Sequence, residues 1–490
     1  MKFKIILFTI FYTFQYVNAQ VPISLHPDNP HYFLFRSKPT ILITSAEHYG
    51  MVLNAELDYK AYLEKLQDYG FNQTRIFSGV YCEGIDKDSE RGRQMQWDQM
   101  QNTLAPRPNR LLTPWQRSGE SGYYNGGNKF DLDKWDETYF NRLKDFCREA
   151  GKRDVVVEVV LFTAIYTPEW WLYSPLNVKN NINGIGDVPY NEFHLLKHKS
   201  LVDQQLRMVR KIVEEVNEFD NIYFEICNEP YWLKGIPQVE ESIREQQFLP
   251  EIDEWQGMIA GCITDAEESL PKKHLIAQNI ANSYYKITTV IKSISILNFH
   301  YAFPPSAVTD NYHLNLPVAF DETSGGTNAP DRRKEAWAFI MAGGAEYSNL
   351  DWSFSTDDMT GLGRNPSGRR QSGREVREQL AILKSTIEGF DFIHASPIGD
   401  QFRNEIPEGI SLYGLMMEGK DYILYWLKNR KTDFGQWTCP LPAGKYEVIF
   451  IDPLEGKTIS RHTVNHSKGE LTLELPSFSD DLQLRITLEK

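Results

Sequence analysis

Eight short apolar runs, each set off from the next by a helical pattern or a long loop, constrain the fold of this chain more than any other feature. They are PTILITSA (39–46), FNQTRIF (71–77), DVVVEVVLF (154–162), NIYFEIC (221–227), HLIAQNI (274–280), SILNFHY (295–301), LPVAFDE (316–322) and AEYSNLDW (345–352). Runs this apolar suit strands buried on both faces, which is the habit of parallel sheets. Helical spacing predicts helices over 57–69, 132–150, 201–219, 252–270, 284–293, 332–341 and 374–389; Leu206, Val209, Ile212, Val213 and Val216, for example, fall at three- and four-residue steps. The connection between the sixth and seventh runs is short and Pro-rich, which argues against a helix there. Eight strands alternating with helices predict a (β/α)8 barrel. An open doubly wound sheet is the alternative, but no Gly-rich phosphate loop follows the first strand.

From about Gly389 the pattern changes to alternating strands, ISLYGLMM, DYILYWL, GKYEVIFIDP, GELTLEL and DDLQLRITLE, split by turn residues. These predict a small antiparallel β-sandwich. At the other end, two lysines, an apolar run and a small-residue ending at Val17-Asn18-Ala19 read as a secretory signal peptide cleaved after Ala19. The expected organisation is therefore a signal over 1–19, a barrel over 20–388 and a sandwich over 389–490. A secreted or periplasmic protein follows, with no transmembrane segment once the signal is removed. Five widely spaced cysteines make neither a disulfide framework nor a metal site. The formal net charge of −14 excludes the basic surface that a nucleic-acid partner requires.

In a parallel barrel, chemistry belongs at the carboxyl ends of the strands. The fourth strand ends in Asn228-Glu229-Pro230 and the seventh in Asp321-Glu322. Two glutamates three strands apart can face each other across the barrel mouth. Glycoside hydrolysis needs such a pair, one carboxyl to protonate the leaving oxygen and one to attack the anomeric carbon. Strand alternation puts Asp321 and Glu322 on opposite sides, so one of them should face the helices, and Glu322 is the better candidate for the site. Arg75, ending the second strand, is the best-placed cation to keep the nucleophile ionised. Glu158 and Glu225 lie within strands and read as buried acids paired with a basic residue.

This set resembles the clan A glycoside hydrolases, most closely the family 5, cellulase-like type. The resemblance rests on Asn228-Glu229-Pro230 after an apolar strand, Glu322 at a later strand end, Arg75, His300-Tyr301 after the sixth strand and Trp352 after the eighth. It implies that Glu229 is the general acid/base, Glu322 the nucleophile, and Asn228 the holder of the sugar 2-hydroxyl. Tyr301 would donate a hydrogen bond to the nucleophile and His300 one to a sugar hydroxyl. The ending of the first strand, Ala46-Glu47-His48-Tyr49, lies outside the pattern; Glu47 and His48 are open between substrate contact and strand-end capping.

Aromatic residues gather in the loops that would roof the mouth: Trp115, Tyr123 and Tyr124 in the long second loop, then Trp170, Trp171, Tyr231, Trp232 and Trp352. Such rings stack on the C–H faces of sugars, and about half are expected to touch substrate, with Trp171 and Trp232 among the candidates. The histidines show no HExxH or similar spacing, so neither a catalytic metal nor a cofactor is expected. The resulting expectation is a retaining β-glycoside hydrolase acting on a β-glucan or a related neutral hexose polymer or oligosaccharide. The alternatives are a non-catalytic glycan-binding barrel and a transglycosylase using the same acids.

Overall fold

The computed structural model describes residues 21–47, 49–82, 106–107, 109–231, 250–323, 329–356, 358–362, 373–402, 405–432 and 434–489. The expected signal segment, His48 and Trp232 lie outside the described residues. Each of the eight apolar runs coincides, to within two residues at its end, with one strand of a single parallel sheet: β1 (Leu42–Ala46), β2 (Gln73–Phe77), β3 (Val156–Thr163), β4 (Ile222–Asn228), β5 (Ile276–Asn282), β6 (Ile296–His300), β7 (Val318–Glu322) and β8 (Glu346–Leu350). Their hydrogen-bonded order is β1-β8-β7-β6-β5-β4-β3-β2. The ends of that order, β1 and β2, lie side by side. Between them the Asn72 side chain bonds both ways, accepting from the Ile43 N–H at 3.0 Å and donating to the Ile41 carbonyl at 2.9 Å. A side-chain amide thus stands in for a ladder at the barrel seam.

Helices cover the outside where the periodicity predicts them, with two exceptions. The pattern over 132–150 begins as the strand Asn128–Trp135, paired antiparallel with Trp115–Ser121, and becomes the helix Glu137–Gly151 only after Asp136. The Asp136 carboxylate caps that helix by accepting the Thr138 N–H at 2.8 Å. Over 284–293 there is no helix. Asn311 bonds the backbone there instead, to the Ile287 N–H at 2.8 Å and the Tyr285 carbonyl at 2.7 Å. A short helix, Ser306–Asn311, lies between β6 and β7, where the prolines argued against one. Pro304 and Pro305 precede its first residue, and ahead of a helix a missing N–H costs nothing.

A small antiparallel sheet (Ser24–Leu25, Phe33–Phe35, Lys38–Thr40) lies at the foot of the barrel. Arg36, in its turn, pairs with Asp220 and donates to the Gly151 carbonyl at 2.7 Å. Beyond the last barrel helix, Arg374–Glu388, the chain forms a six-stranded antiparallel sheet and a two-stranded ribbon, Gln436–Leu441 with Gly469–Glu474. One face of the sheet shares an apolar core with the ribbon, built on Trp426, Trp437, Tyr446, Phe450 and Leu484. The other face packs on the barrel, where Tyr425 stacks on Trp337 of the helix Ala329–Met341 with ring centres 5.4 Å apart. Arg333 of that helix makes a forked pair with Asp481, at 2.8 and 3.0 Å, and Tyr425 donates to the same carboxylate at 2.9 Å. Among the described residues, no helix is long and apolar enough to cross a membrane.

Both members of the Arg333–Asp481 pair are almost fully buried. Removing one partner leaves the other charge stranded, a loss of about 3–5 kcal/mol. Arg333→Met is expected to destabilise the chain by about that much in chemical unfolding; a loss below about 1 kcal/mol would show the pair is replaceable.

Candidate active site

The residue after each of β4, β5 and β6 has left-handed backbone: Glu229 (φ 47°), Ser283 (φ 61°) and Tyr301 (φ 52°). Side chains other than glycine pay for that geometry in steric strain, and hydrogen bonds hold all three turns, the Ser283 N–H donating to the His300 carbonyl at 2.7 Å. The Glu229 N–H donates to Asn279 Oδ1 at 2.8 Å, and the Tyr301 N–H to the Glu322 carbonyl at 2.9 Å. Both side chains then reach the carboxylate pair at the mouth.

β7 departs from simple alternation. Phe299 pairs with Phe320 but His300 pairs with Glu322, so Asp321 is an extra residue in a bulge. Phe320 packs outward against Phe339, 5.3 Å between ring centres. Asp321 and Glu322 are both buried inside, and both ion-pair with Arg75 and His300. The expectation that one of them faces the helices is therefore corrected: the bulge re-aims Glu322, and Asp321 becomes a partner rather than a rival.

Arg75 is wholly buried beneath the pair. Its Nε lies 3.0 Å from Asp321 and 3.4 Å from Glu158; Nη2 pairs with Glu225 and donates to Asn228 Oδ1 at 2.8 Å; Nη1 lies 3.5 Å from Glu322 Oε2. Glu158 and Glu225 thus have the basic partner expected of them. Asn228 passes the contact on, donating to the Tyr166 hydroxyl at 2.9 Å, and Tyr166 donates to Glu229 Oε2 at 2.7 Å. On the other carboxylate, Tyr301 donates to Glu322 Oε1 at 2.6 Å. His300 sits between, with Nδ1 3.1 Å from Glu229 and 3.8 Å from Glu322, and Nε2 3.2 Å from Asp321. It is fully buried and both ring nitrogens face carboxylates.

These contacts set the charges. Burial opposes a proton on His300, but the charges of Asp321 and Glu322 and hydrogen bonds to Asp321 and Glu229 raise its pKa well above the ordinary histidine value. Burial pushes Glu322 up, opposed by His300, reinforced by the charge of Glu229, and opposed again by Arg75 and Tyr301. Burial acts on Glu229 too, but hydrogen bonds from His300, Tyr166 and Asn282 hold it below the usual carboxylate range. One ligand-type atom each from Glu229, His300 and Glu322 lies within 4.8 Å of the others, as do atoms of Glu225, His300 and Asp321. Such sets could bind a cation, but the guanidinium of Arg75 already supplies one to Asp321, Glu225 and Glu322.

The remaining candidates are spread around the rim. Glu47 is buried and accepts from the Tyr49 N–H at 2.9 Å and the Gly50 N–H at 2.9 and 3.0 Å, which makes it the capping carboxyl at the start of the helix Gly50–Leu53. Burial pushes its pKa up to about 8 against those N–H groups. Trp171 is buried, with its indole N–H donating to the Val188 carbonyl at 2.9 Å. Trp115 is fully buried on Trp135, and Trp170 packs edge-on against Tyr166. Tyr231 donates to Asn282 at 2.5 Å. Trp352 is half-buried just past β8, and Tyr124 is 53% exposed. Sequence reasoning missed Tyr166, Asn279 and Asn282. Tyr166 and Asn282 stand just beyond or at the ends of β3 and β5, so the strand-end rule that selected Glu229 could have selected them, whereas Asn279 lies mid-strand, where that rule does not reach.

No protein-family model and no curated protein matches the sequence. Solved structures do. A candidate glycoside hydrolase from Bacteroides vulgatus superposes with a TM-score of 0.63 at 14% identity, over 96% of this chain and 83% of the other. A glycoside hydrolase family 5 protein from the same organism gives 0.58 at 12% identity, over 96% and 95%. A third structure, a glycoside hydrolase, gives 0.55 at 12% identity, over 95% and 97%.

Asp321→Asn removes the carboxylate at His300 Nε2. The His300 pKa is then expected to fall toward or below its ordinary value of about 6.5, as read by NMR titration of the ring. An unmoved titration would show that Asp321 does not hold the imidazolium. At this identity the likenesses establish one thing, the shared fold of a parallel eight-stranded barrel followed by antiparallel sheets.

Proposed function

We propose that this chain is a retaining glycoside hydrolase acting on β-linked neutral glycans, with Glu322 as nucleophile and Glu229 as general acid/base. The observation that carries the proposal is the pair itself: glutamates at the ends of β4 and β7 with an oxygen of each within 4.8 Å. That spacing favours the retaining arrangement, with carboxyls about 5–5.5 Å apart, over the inverting one, which leaves room for a water at about 6.5–9.5 Å. In the first step Glu322 attacks the anomeric carbon while Glu229 gives its proton to the departing glycosidic oxygen. In the second, Glu229 takes a proton from water, whose oxygen displaces Glu322.

The first step needs the proton on Glu229, whereas its hydrogen bonds with His300, Tyr166 and Asn282 hold that carboxyl low. His300 supplies the reconciliation. Its Nδ1–H is 3.1 Å from Glu229 Oε1, so a transfer across that bond arms the acid. The neutral imidazole keeps its Nε2–H on Asp321. Tyr301 and Arg75 stabilise the charge on Glu322 before attack and after its release. Asn228, held by Arg75 and Tyr166, faces the sugar beside Glu229. Half-buried Trp352 is the stacking platform, and the N-terminal leader directs the enzyme out of the cytoplasm. The several barrel hydrolases of the same fold support the reaction class; the β-glucan preference rests on the cellulase-like resemblance alone.

Glu322→Gln is expected to abolish turnover of every glycan in a panel of glucans, mannans and xylans while binding persists in calorimetry. Glu229→Ala should lose polymer cleavage yet release an activated aryl leaving group, because such a group departs without a proton. Retention of aryl cleavage by the Glu322 variant instead would reverse the two roles.

The acidic limb of kcat/KM reports ionisation of the nucleophile in the free enzyme. With Glu322 raised, activity should fall on acidification at a pH above the ordinary glutamate value of about 4.3. Tyr301→Phe removes a donor to the ionised form, so it should move that limb to still higher pH. A limb that stays in place or moves down would contradict the assignment.

A further inference from the structure

Below the catalytic pair, the barrel interior holds more acid than base. Six carboxylates, those of Glu158, Glu225, Glu229, Asp321, Glu322 and Glu346, are buried together. Among the described residues, the cations within ion-pair reach of them are Arg75 and His300. Were all six ionised, four negative charges would lie uncompensated and out of water, which proteins avoid by keeping protons on the acids. The contacts show where protons fit. Glu346, at the start of β8, has the Tyr223 hydroxyl 2.9 Å from both its oxygens, so that hydroxyl can donate to one and accept a proton from the other, while Gln73 Nε2 donates at 2.9 Å and no cation among the described residues is paired to it. Glu158 takes a longer contact with Gln73, 3.2 Å, and the longest of the three carboxylate contacts to Arg75 Nε and Nη2, 3.4 Å. Glu158 and Glu225 meet the same guanidinium, and each keeps one buried oxygen, Oε1, without a hydrogen-bond partner among the described residues, which a proton shared between the two would satisfy. Two carboxylates cannot share a hydrogen bond unless one is protonated.

We propose that Glu158 and Glu346 are held as neutral carboxylic acids, Glu158 donating its proton to Glu225, and that Glu158 is thereby a positioning residue for Arg75. The donated hydrogen bond satisfies part of the charge on Glu225, so that Arg75 is not drawn wholly toward it. Arg75 Nη1 then remains aimed at Glu322 Oε2, and neither atom has another hydrogen-bond partner among the described residues. Burial pushes Glu158 well above the usual carboxylate range and Glu346 up to about 8, in each case reinforced by neighbouring acids. Burial also raises Glu225, but Arg75 and the bond from Glu158 pull it back. The titratable and charged groups facing this column are Arg75 on β2, Tyr223 on β4, His300 on β6 and Asp321 on β7.

Two measurements test this, and only the kinetic one rests on the glycosidase proposal. In infrared spectra at neutral pH, the carbonyl stretch of a protonated carboxyl should be present in the wild type and lose intensity in E158Q and in E346Q. A wild-type spectrum without that band, or one that neither substitution changes, overturns the proposal whatever the activity. In kinetics, E158L should move the acidic limb of kcat/KM to higher pH and lower kcat/KM about tenfold. E158Q, whose amide can donate as the acid does, should restore both. Failure of E158Q to restore them would mean that a charge is required at 158. A limb unmoved by E158L would mean that Glu158 does not act through Arg75. Either result sinks the positioning role. If E158L does not fold, the E158Q profile and the infrared band decide.

Discussion

The guanidinium of Arg75 lies where the second, third, fourth and seventh strands converge, and the geometry of the whole mouth depends on it. Its five N–H donors form a rigid fork, and three of its nitrogens face carboxylates on three different strands. A lysine could place one charge there but could not hold Asp321, Glu225 and Asn228 in fixed directions at once. Through Asn228 the same cation reaches Tyr166 and so Glu229; through Asp321 it reaches His300. Both catalytic candidates are thus oriented from below by one buried group, and removing it would strand several acids at a cost of at least about 3–5 kcal/mol.

The rim carries a second kind of cost. Glu229, Ser283 and Tyr301 each turn left-handed at the first position beyond a strand, where a side chain costs on the order of 1–2 kcal/mol per residue. The bulge at Asp321 breaks the β6–β7 ladder in the same layer. These departures cluster where the barrel presents its side chains, and those at Glu229, Tyr301 and Asp321 place a group in or against the carboxylate pair. Strain located in this way is what a site demands when regular strand geometry would aim its residues elsewhere.

Much of this was legible beforehand, and for identifiable reasons. The eight strands could be read because burial on both faces removes the polar alternation that would blur them, as in VVEVVLF of β3. The pair Glu229 and Glu322 could be read because a strand-end acid in a barrel has few structural uses. Tertiary effects hid the rest. Asp321 could not be placed because period-2 reasoning assumes an unbroken ladder, and the bulge shifts the register by one residue. The helix expected over 284–293 fails because a single side chain from a later segment, Asn311, takes its backbone bonds. Trp171 and Trp115 looked like walls of a cleft because aromatic composition does not distinguish a ring facing sugar from one facing another ring. Glu47 was balanced between two roles until the N–H groups of Tyr49 and Gly50 decided for capping.

The same electrostatics bear on whether such a barrel catalyses or only binds. A glycan-binding protein needs aromatic surface and a few hydrogen bonds, and nothing in that task calls for six carboxylates packed around two cations. Buried ion clusters are often no more stabilising than apolar side chains of the same volume, so a binding barrel would gain by filling that space with valine and leucine. What the cluster can do, and an apolar core cannot, is shift two neighbouring carboxylates in opposite directions, Glu322 up and Glu229 down, with an imidazole between them whose proton is held more tightly than usual. The proposed double displacement asks for an ionised Glu322 and a protonated Glu229 in the first step and an ionised Glu229 in the second, and the imidazole beside them is the group that can pass that proton. The buried acids under Arg75 therefore fit the proposed hydrolysis better than they fit binding alone.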